Sequence, residues 1–255
     1  MKKLTKKAYT TALNAAKAAG KYLLQKFHED DTTVIKSYPH DIKLHTDVET
    51  EELIKQMLKR RFPDHSFICE ESGTEHSQSE FSWVIDPLDG TVNYAQRIPH
   101  FCTSIALKKG SEYLVGVVFD PVKNELFSAI KGEGAWLNGS PLHKKNVGSL
   151  SDAIITGGFM HEGALQKGKK TFTNLVNRIK KLRLLGSAAL DLCYLAANRV
   201  NGYIHYSTHE WDIAAASLVA TQSGARVDIY ERDGALDVIA ADETIFDELK
   251  KTAVF

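Results

Sequence analysis

The chain has 255 residues, 43% of them hydrophobic, enough to bury a full core as one large domain or two closely joined halves. Lysine plus arginine balances aspartate plus glutamate at 32 each, which argues against a nucleic acid polymer or an anionic membrane as partner and leaves any anion site to local charge. No apolar run reaches the roughly 18 residues of a membrane span, and Cys69, Cys102 and Cys193 stand far apart without a CxxC pair, the pattern of small buried thiols in a reducing cytoplasm.

The first twenty residues are basic in the manner of a signal peptide, but Asn14 and Lys17 interrupt the apolar run, so a surface helix is expected instead. From Thr5 to Phe27, apolar residues at Ala8, Ala12, Ala15, Ala16, Ala19 and Leu23 predict an amphipathic helix packed by its alanine face. Thr46-Asp47-Val48-Glu49 reads as a capping box and starts a second helix at Asp47. β-type runs follow at Ser66 to Cys69, Trp83 to Ile85, Thr103 to Leu107, Tyr113 to Phe119 and Glu125 to Ile130, the last two joined by the turn formers Asp120 to Asn124. This succession predicts a largely antiparallel sheet.

Beyond Asn138-Gly139 strands and helices alternate. Strands are expected near Ala153 to Gly157, Arg183 to Leu185, Gly202 to Tyr206, Arg226 and Val238. Helices are expected at Thr171 to Lys181, Ser187 to Asn198, Asp212 to Ser223 closed by Gly224, and Asp242 to Lys251. The polar stretch His161 to Lys170, with Gly163 and Gly168, reads as a mobile loop. The change of pattern divides the chain into an N-terminal α+β half, 1–146, and a C-terminal α/β half, 147–255, packed across one interface.

The acids stand where loops meet elements. Glu70 and Glu71 follow one strand, Asp86 and Asp89 another, and Asp47 and Asp212 open helices, each also a place where a carboxylate serves purely local hydrogen bonding. Asp86-Pro87-Leu88-Asp89-Gly90-Thr91 says more, because Pro87 fixes the backbone between two acids and Gly90 frees it after them. Two carboxylates with a carbonyl between them suit a hard cation such as magnesium, and glycine lets backbone amides approach a phosphate.

These stretches resemble the inositol monophosphatase family of magnesium-dependent, lithium-sensitive phosphatases. The resemblance is carried by Trp83 to Asn93, Ile98-Pro99-His100-Phe101, Ser104 to Leu107, Glu70-Glu71-Ser72, Gly186 to Cys193, Asp41 to Leu44 with Asp47, and Trp211 to Ala216 with Gly224. It implies a layered αβαβα sugar-phosphatase fold, with an antiparallel N-terminal sheet, a smaller mixed C-terminal sheet, and the active site between the halves. By similarity, two to three magnesium ions would be held by Glu70, Asp86, the Leu88 carbonyl, Asp89 and Asp212, with Asp86 bridging. Asp47 and Thr91 would position and deprotonate the attacking water, with Glu70 assisting, and the amides of Gly90 and Thr91 would face the phosphate. Substrate contacts are further implied for Asp89, Gly186, Ser187, Ala188, His205 and Asp212.

Family members act on inositol phosphates, fructose 1,6-bisphosphate, histidinol phosphate, NADP or 3′-phosphoadenosine 5′-phosphate, and the metal core excludes none of them. Inositol 1-phosphate is the first expectation. Against it, His205 stands where inositol phosphatases have an acid for ring hydroxyls, and such a change alters which hydroxyls are accepted. His40, His45, His100 and His161 lack zinc spacing. The resemblance implies a cytoplasmic homodimer acting on a small phosphate ester. The other reading is a metal-binding interaction protein that kept the fold and lost the chemistry.

Overall fold

A computed structural model describes residues 2–29, 33–37, 42–158 and 164–254 of the chain; His40, Asp41 and His161 to Gly163 lie outside them. Helix α1 Lys2–His28, strands β1 Val34–Ser37 and β2 Ile42–Leu44, and helix α2 His45–Lys59 come first. Next are β3 Ser66–Cys69, β4 Gly73–Glu75, β5 Phe81–Asp89, the short helix α3 Thr91–Ala95, β6 Cys102–Lys109, β7 Glu112–Asp120, β8 Glu125–Ile130, β9 Gly134–Leu137 and β10 Ser140–Pro141. A 3-10 turn at Leu150–Asp152 leads to β11 Ile154–Gly158, α4 Leu165–Leu175, β12 Lys181–Arg183, α5 Ala188–Ala196 and β13 Gly202–Thr208. Helix α6 Glu210–Ser223, β14 Arg226–Arg232, β15 Ala235–Ala241 and α7 Phe246–Thr252 follow.

Strands β3 to β10 form one sheet in the order β10-β9-β8-β7-β6-β5-β3-β4, antiparallel except where β3 runs parallel to β5. Strands β11 to β15 form a smaller mixed sheet, β12-β11-β13-β15-β14. Helices α1 and α2 cover one face of the large sheet, where the alanine face of α1 meets Trp83, Ile105 and Val117. The other face packs on α5 and α6, whose far side meets Tyr203, Val238 and Ala240 of the small sheet. Leu175 of α4 and Phe246 and Leu249 of α7 close the outer face of that sheet. The result is five layers, α, β, α, β, α, as expected. Among the described residues no helix is long and apolar enough to cross a membrane.

Several element boundaries differ from expectation: β12 is Lys181–Arg183 rather than Arg183 to Leu185, set by its parallel pairing with β11, α5 and α6 shift by one or two residues at their ends, and four more differ for local reasons. Strand β5 continues past Ile85 to Asp89 through a bulge, since Asp86 pairs with Ser104 and Asp89 with Cys102, so that two residues, Pro87 and Leu88, oppose the single Thr103. Pro87 has no amide to donate and fits the interrupted ladder. Helix α2 begins at His45 rather than Asp47, and Asp47, its third residue, accepts the Leu44 amide at 2.7 Å. Helix α4 spans Leu165–Leu175 rather than Thr171 to Lys181, so Lys167 to Lys170 are helical and not loop. Its buried face is Gly168, Thr171 and Leu175, while Leu165 and Phe172, and Val176 just after it, are exposed, so apolar spacing alone does not mark its bounds. Helix α7 starts at Phe246, because Asp242 accepts the Thr244 amide in a local turn first.

Candidate active site

The bulge in β5 decides where the two acids point. On a regular strand, residues three apart face opposite sides; the extra residue restores them to one side, and Asp86, Leu88 and Asp89 all line one cleft. The bulge is held by Thr103, whose hydroxyl donates to the Pro87 carbonyl at 3.0 Å, and by the Leu88 amide, which donates to Asp86 Oδ1 at 3.0 Å. Gly90 follows at φ +94°, where an added Cβ would lie 2.9 Å from the His100 carbonyl oxygen, so the tight exit into α3 requires glycine.

That cleft, about 640 Å³, is also lined by Glu70, Glu71, Thr91, Asn93, Lys43, Gly186, Ser187, Ala188, Asp191, His205, His209, Trp211 and Asp212. Glu70 arrives on the β3–β4 connection, Asp86 and Asp89 on β5, and Asp212 as the third residue of α6. Helix α6 is fixed to the large sheet through Glu210, which accepts from Lys108 at 2.7 Å and from the Tyr113 hydroxyl at 3.0 Å. Asn93 ties the α3 turn to the loop before α5, donating to the Leu185 carbonyl at 2.8 Å and the Gly186 carbonyl at 3.3 Å. Four chain segments are thereby locked around one space.

Helix N-termini converge on it, and the acids use them. Asp212 Oδ2 accepts the His209 amide at 2.8 Å and the Thr208 hydroxyl at 2.6 Å. Asp89 reaches across to α5, accepting the Ser187 hydroxyl and the amides of Ala188 at 3.2 Å and Ala189 at 2.8 Å. Such contacts, with the positive end of the helix dipole, favour the ionised carboxylate. Thr91 donates its hydroxyl to the Leu88 carbonyl at 2.8 Å. Asp47 is 2% exposed and close enough to Glu70 to raise that group's pKa.

The charge balance is lopsided. Burial, foremost, and then the charge of Asp212 push Glu70 well above the ordinary carboxylate range. Burial and the charges of Glu70, Asp89 and Asp212 do the same to Asp86, which faces Glu70 closely enough to share a proton with it. Burial also dominates at Asp89, pushed up to about 6 despite its hydrogen bond from Ser187. At Asp212 burial works against ionisation, but the hydrogen bonds from His209 and Thr208 prevail and hold its carboxyl low. Acids crowded so repel one another, and a cation relieves the repulsion.

The donor chemistry fits a hard divalent ion, being carboxylate and carbonyl oxygen throughout. The grouping is looser than a closed coordination sphere: among the described residues no three His, Cys, Asp or Glu side chains are clustered tightly enough to hold a metal ion. Asp89 and Asp212 spend acceptor capacity on helix N-termini instead.

Several lining residues carried no assigned role in the sequence reading. Lys43 pairs with Glu71 at the cleft edge, and both sit in motifs already quoted. Asp191, 2% exposed, is pushed well up by burial above all, with Thr156 and Asp89 as its neighbours. Trp211 stacks on His209 with ring centroids 4.6 Å apart and forms a wall. His205 accepts or donates a 2.9 Å bond between Nδ1 and the Tyr203 hydroxyl, and its ring lies over Gly158, where a Cβ would come within 2.4 Å of it.

The inositol monophosphatase family profile matches residues 4–250. Among curated proteins, Nus factor SuhB of Pasteurella multocida is 40% identical over 221 residues, covering 85% of this chain and 82% of its own length. Among solved structures, extragenic suppressor protein SuhB of Bartonella henselae superposes with a TM-score of 0.88 at 30% identity, covering 95% of this chain and 96% of that one. Inositol monophosphatase from Anabaena (Nostoc) gives 0.86 at 31% identity, covering 97% and 95%.

Proposed function

The chain belongs to the inositol monophosphatase family, and on that premise we propose that it is a magnesium-dependent phosphomonoesterase for a small polyol or sugar phosphate, with inositol 1-phosphate the first candidate. The observation that carries this reading is the convergence of Glu70, Asp86, Asp89 and Asp212 on one cleft in which most of them hold their protons abnormally tightly. Magnesium would be held by these four carboxylates and the Leu88 carbonyl. When bound there it supplies a lowered pKa for the attacking water and charge neutralisation for the phosphoryl group.

The chain's own groups do the rest. Thr91 spends its hydroxyl proton on the Leu88 carbonyl, which leaves its oxygen lone pairs as acceptors for a proton of the attacking water. Asp47, held by the Leu44 amide in the first turn of α2, would take the proton of that water directly as general base, with Thr91 only orienting the water. The amides of Gly90 and Thr91 take the phosphate oxygens. Ser187, Ala188 and Asp89 stand together across the cleft as the place for the alcohol. His205, which lines the cleft with Trp211 and His209, replaces the acid that inositol phosphatases present to ring hydroxyls, so other family substrates belong in the test.

A homodimer completes this reading, supported by the exposed Leu165 and Phe172 of α4 and Val176 just after it. The second reading, a metal-binding interaction protein, takes its support from relatives that bear the name Nus factor. One assay separates the two: phosphate release from inositol 1-phosphate, fructose 1,6-bisphosphate, histidinol phosphate, NADP and 3′-phosphoadenosine 5′-phosphate, with and without magnesium and lithium. Magnesium-dependent release from at least one ester, reduced by orders of magnitude in Asp89→Asn, is expected. Absence of release from every ester would leave the binding protein.

A further inference from the structure

Helix α2 carries three charged residues on its buried face, Asp47, Glu51 and Lys55, spaced four apart and therefore stacked in one line. Glu51 is 3% exposed and Lys55 5%. Charged side chains are seldom buried so deeply without a partner that needs them. The partner is the loop that carries Glu70.

That loop, Glu70 to Ser72, joins antiparallel β3 and β4, where Cys69 pairs with Gly73. The Glu70 amide donates to the Ile85 carbonyl at 3.2 Å, extending the parallel pairing with β5. The next two amides have no strand to pair with and donate instead to one carboxylate: Glu71 N to Glu51 Oε2 at 2.8 Å and Ser72 N to Glu51 Oε1 at 3.0 Å. One turn further along α2, Lys55 donates to the Ser72 hydroxyl at 2.8 Å and pairs with Glu75. Three successive amides around Glu70 are thus held, two of them by Glu51.

We propose that Glu51 is a positioning residue for the cation site, fixing the Glu70 loop so that the Glu70 carboxylate faces Asp86 across the cleft; this rests on the reading of Glu70 as a magnesium ligand. The same helix face then sets two groups of the reaction at once, Asp47 directly and Glu70 through two backbone amides. A glutamine at 51 presents one acceptor oxygen and one amide group, so one of the two loop amides loses its partner. Residues that orient ligands in this way change metal affinity by about 10–100-fold when replaced.

The test measures magnesium binding by calorimetry for wild type, Glu51→Gln and Glu51→Asp, together with amide exchange at Glu71 and Ser72 without added divalent ions. In Glu51→Gln we expect magnesium affinity about tenfold or more lower and faster exchange at the one amide, Glu71 or Ser72, that loses its acceptor. The magnesium concentration for half-maximal activity should rise, while kcat at saturating magnesium returns toward wild type. Glu51→Asp, which keeps the charge but is one methylene short, should fall between, and it carries the test alone if the glutamine variant does not fold. A folded variant with wild-type magnesium affinity overturns the proposal, as does weakened affinity with unchanged loop exchange. A wild-type protein that binds no magnesium would instead sink the phosphatase reading itself.

Discussion

Asp89 has four hydrogen-bond donors around it, the Ser187 hydroxyl, the amides of Ala188 and Ala189, and the Cys102 thiol, yet its carboxyl is pushed up to about 6 by burial and by its acidic neighbour Asp212. A carboxyl that binds its proton more tightly folded than unfolded adds stability below its ordinary value of 3.8 and loses it as pH rises through about 6. Without divalent ions, that contribution of Asp89 therefore declines between about pH 4 and about pH 7. Asparagine has no such proton to lose. Melting temperatures of wild type and Asp89→Asn, measured across this interval with chelator present, should move in the variant's favour as pH rises. A constant difference would mean that Asp89 titrates as an ordinary acid. At the same scale the sequence disclosed that Asp86 and Asp89 matter, through proline and glycine beside them, but not that Asp89 would bind the start of a helix about a hundred residues later.

At the scale of elements, two bulges shape the cleft from opposite sheets. The one in β5 brings Asp86 and Asp89 to one side. The other, in β13, lies between His205 and Thr208, with Ser207 at φ +55°, and lets His205 line the cleft while Thr208 bonds Asp212. Asp237 supports it by accepting the Ser207 amide at 3.0 Å and pairing with Lys167 at 2.6 Å. Between the sheets lies α6, which approaches β7 so closely that a Cβ on Gly116 would sit 2.4 Å from the Ala215 carbonyl oxygen. Gly116→Ala must push α6 away, and overpacking of this kind costs about 1–3 kcal/mol. We expect a lower midpoint in chemical denaturation and, because α6 carries Asp212, weaker magnesium binding. An unchanged midpoint would show that the layers yield freely. Helix α4 shows how an element is misplaced: it spans Leu165–Leu175 rather than Thr171 to Lys181, and of its apolar residues Leu175 is buried while Leu165 and Phe172 are exposed, so apolar spacing alone does not mark its bounds.

At the scale of the whole molecule, the proposed ligands come from different layers, Glu70, Asp86 and Asp89 from the large sheet and Asp212 from the helical layer shared with the small sheet. A cation bridging them ties layers together and stabilises the fold by mass action. At one hundred times its Kd the gain is about 2.7 kcal/mol, or about 5–10 °C for a chain of this length. Melting with increasing magnesium near neutral pH should show that rise, and Asp212→Asn, which leaves the sheet acids in place, should remove most of it. The same rise in the variant would place the ion away from Asp212. Protons compete for the raised carboxyls of Glu70, Asp86 and Asp89, so the magnesium effect should shrink below about pH 6.

The sequence by itself determined the acids, the rigid turn that bears two of them and the succession of strands and helices, because local hydrogen bonding, proline, glycine and side-chain periodicity act over a few residues. Only the tertiary structure decided which carboxylates meet, that bulges in two strands turn them inward, and that Glu51 of α2 holds the Glu70 loop. Those outcomes depend on pairing register and on packing between segments far apart in the chain, and neither leaves a mark within any short stretch of residues.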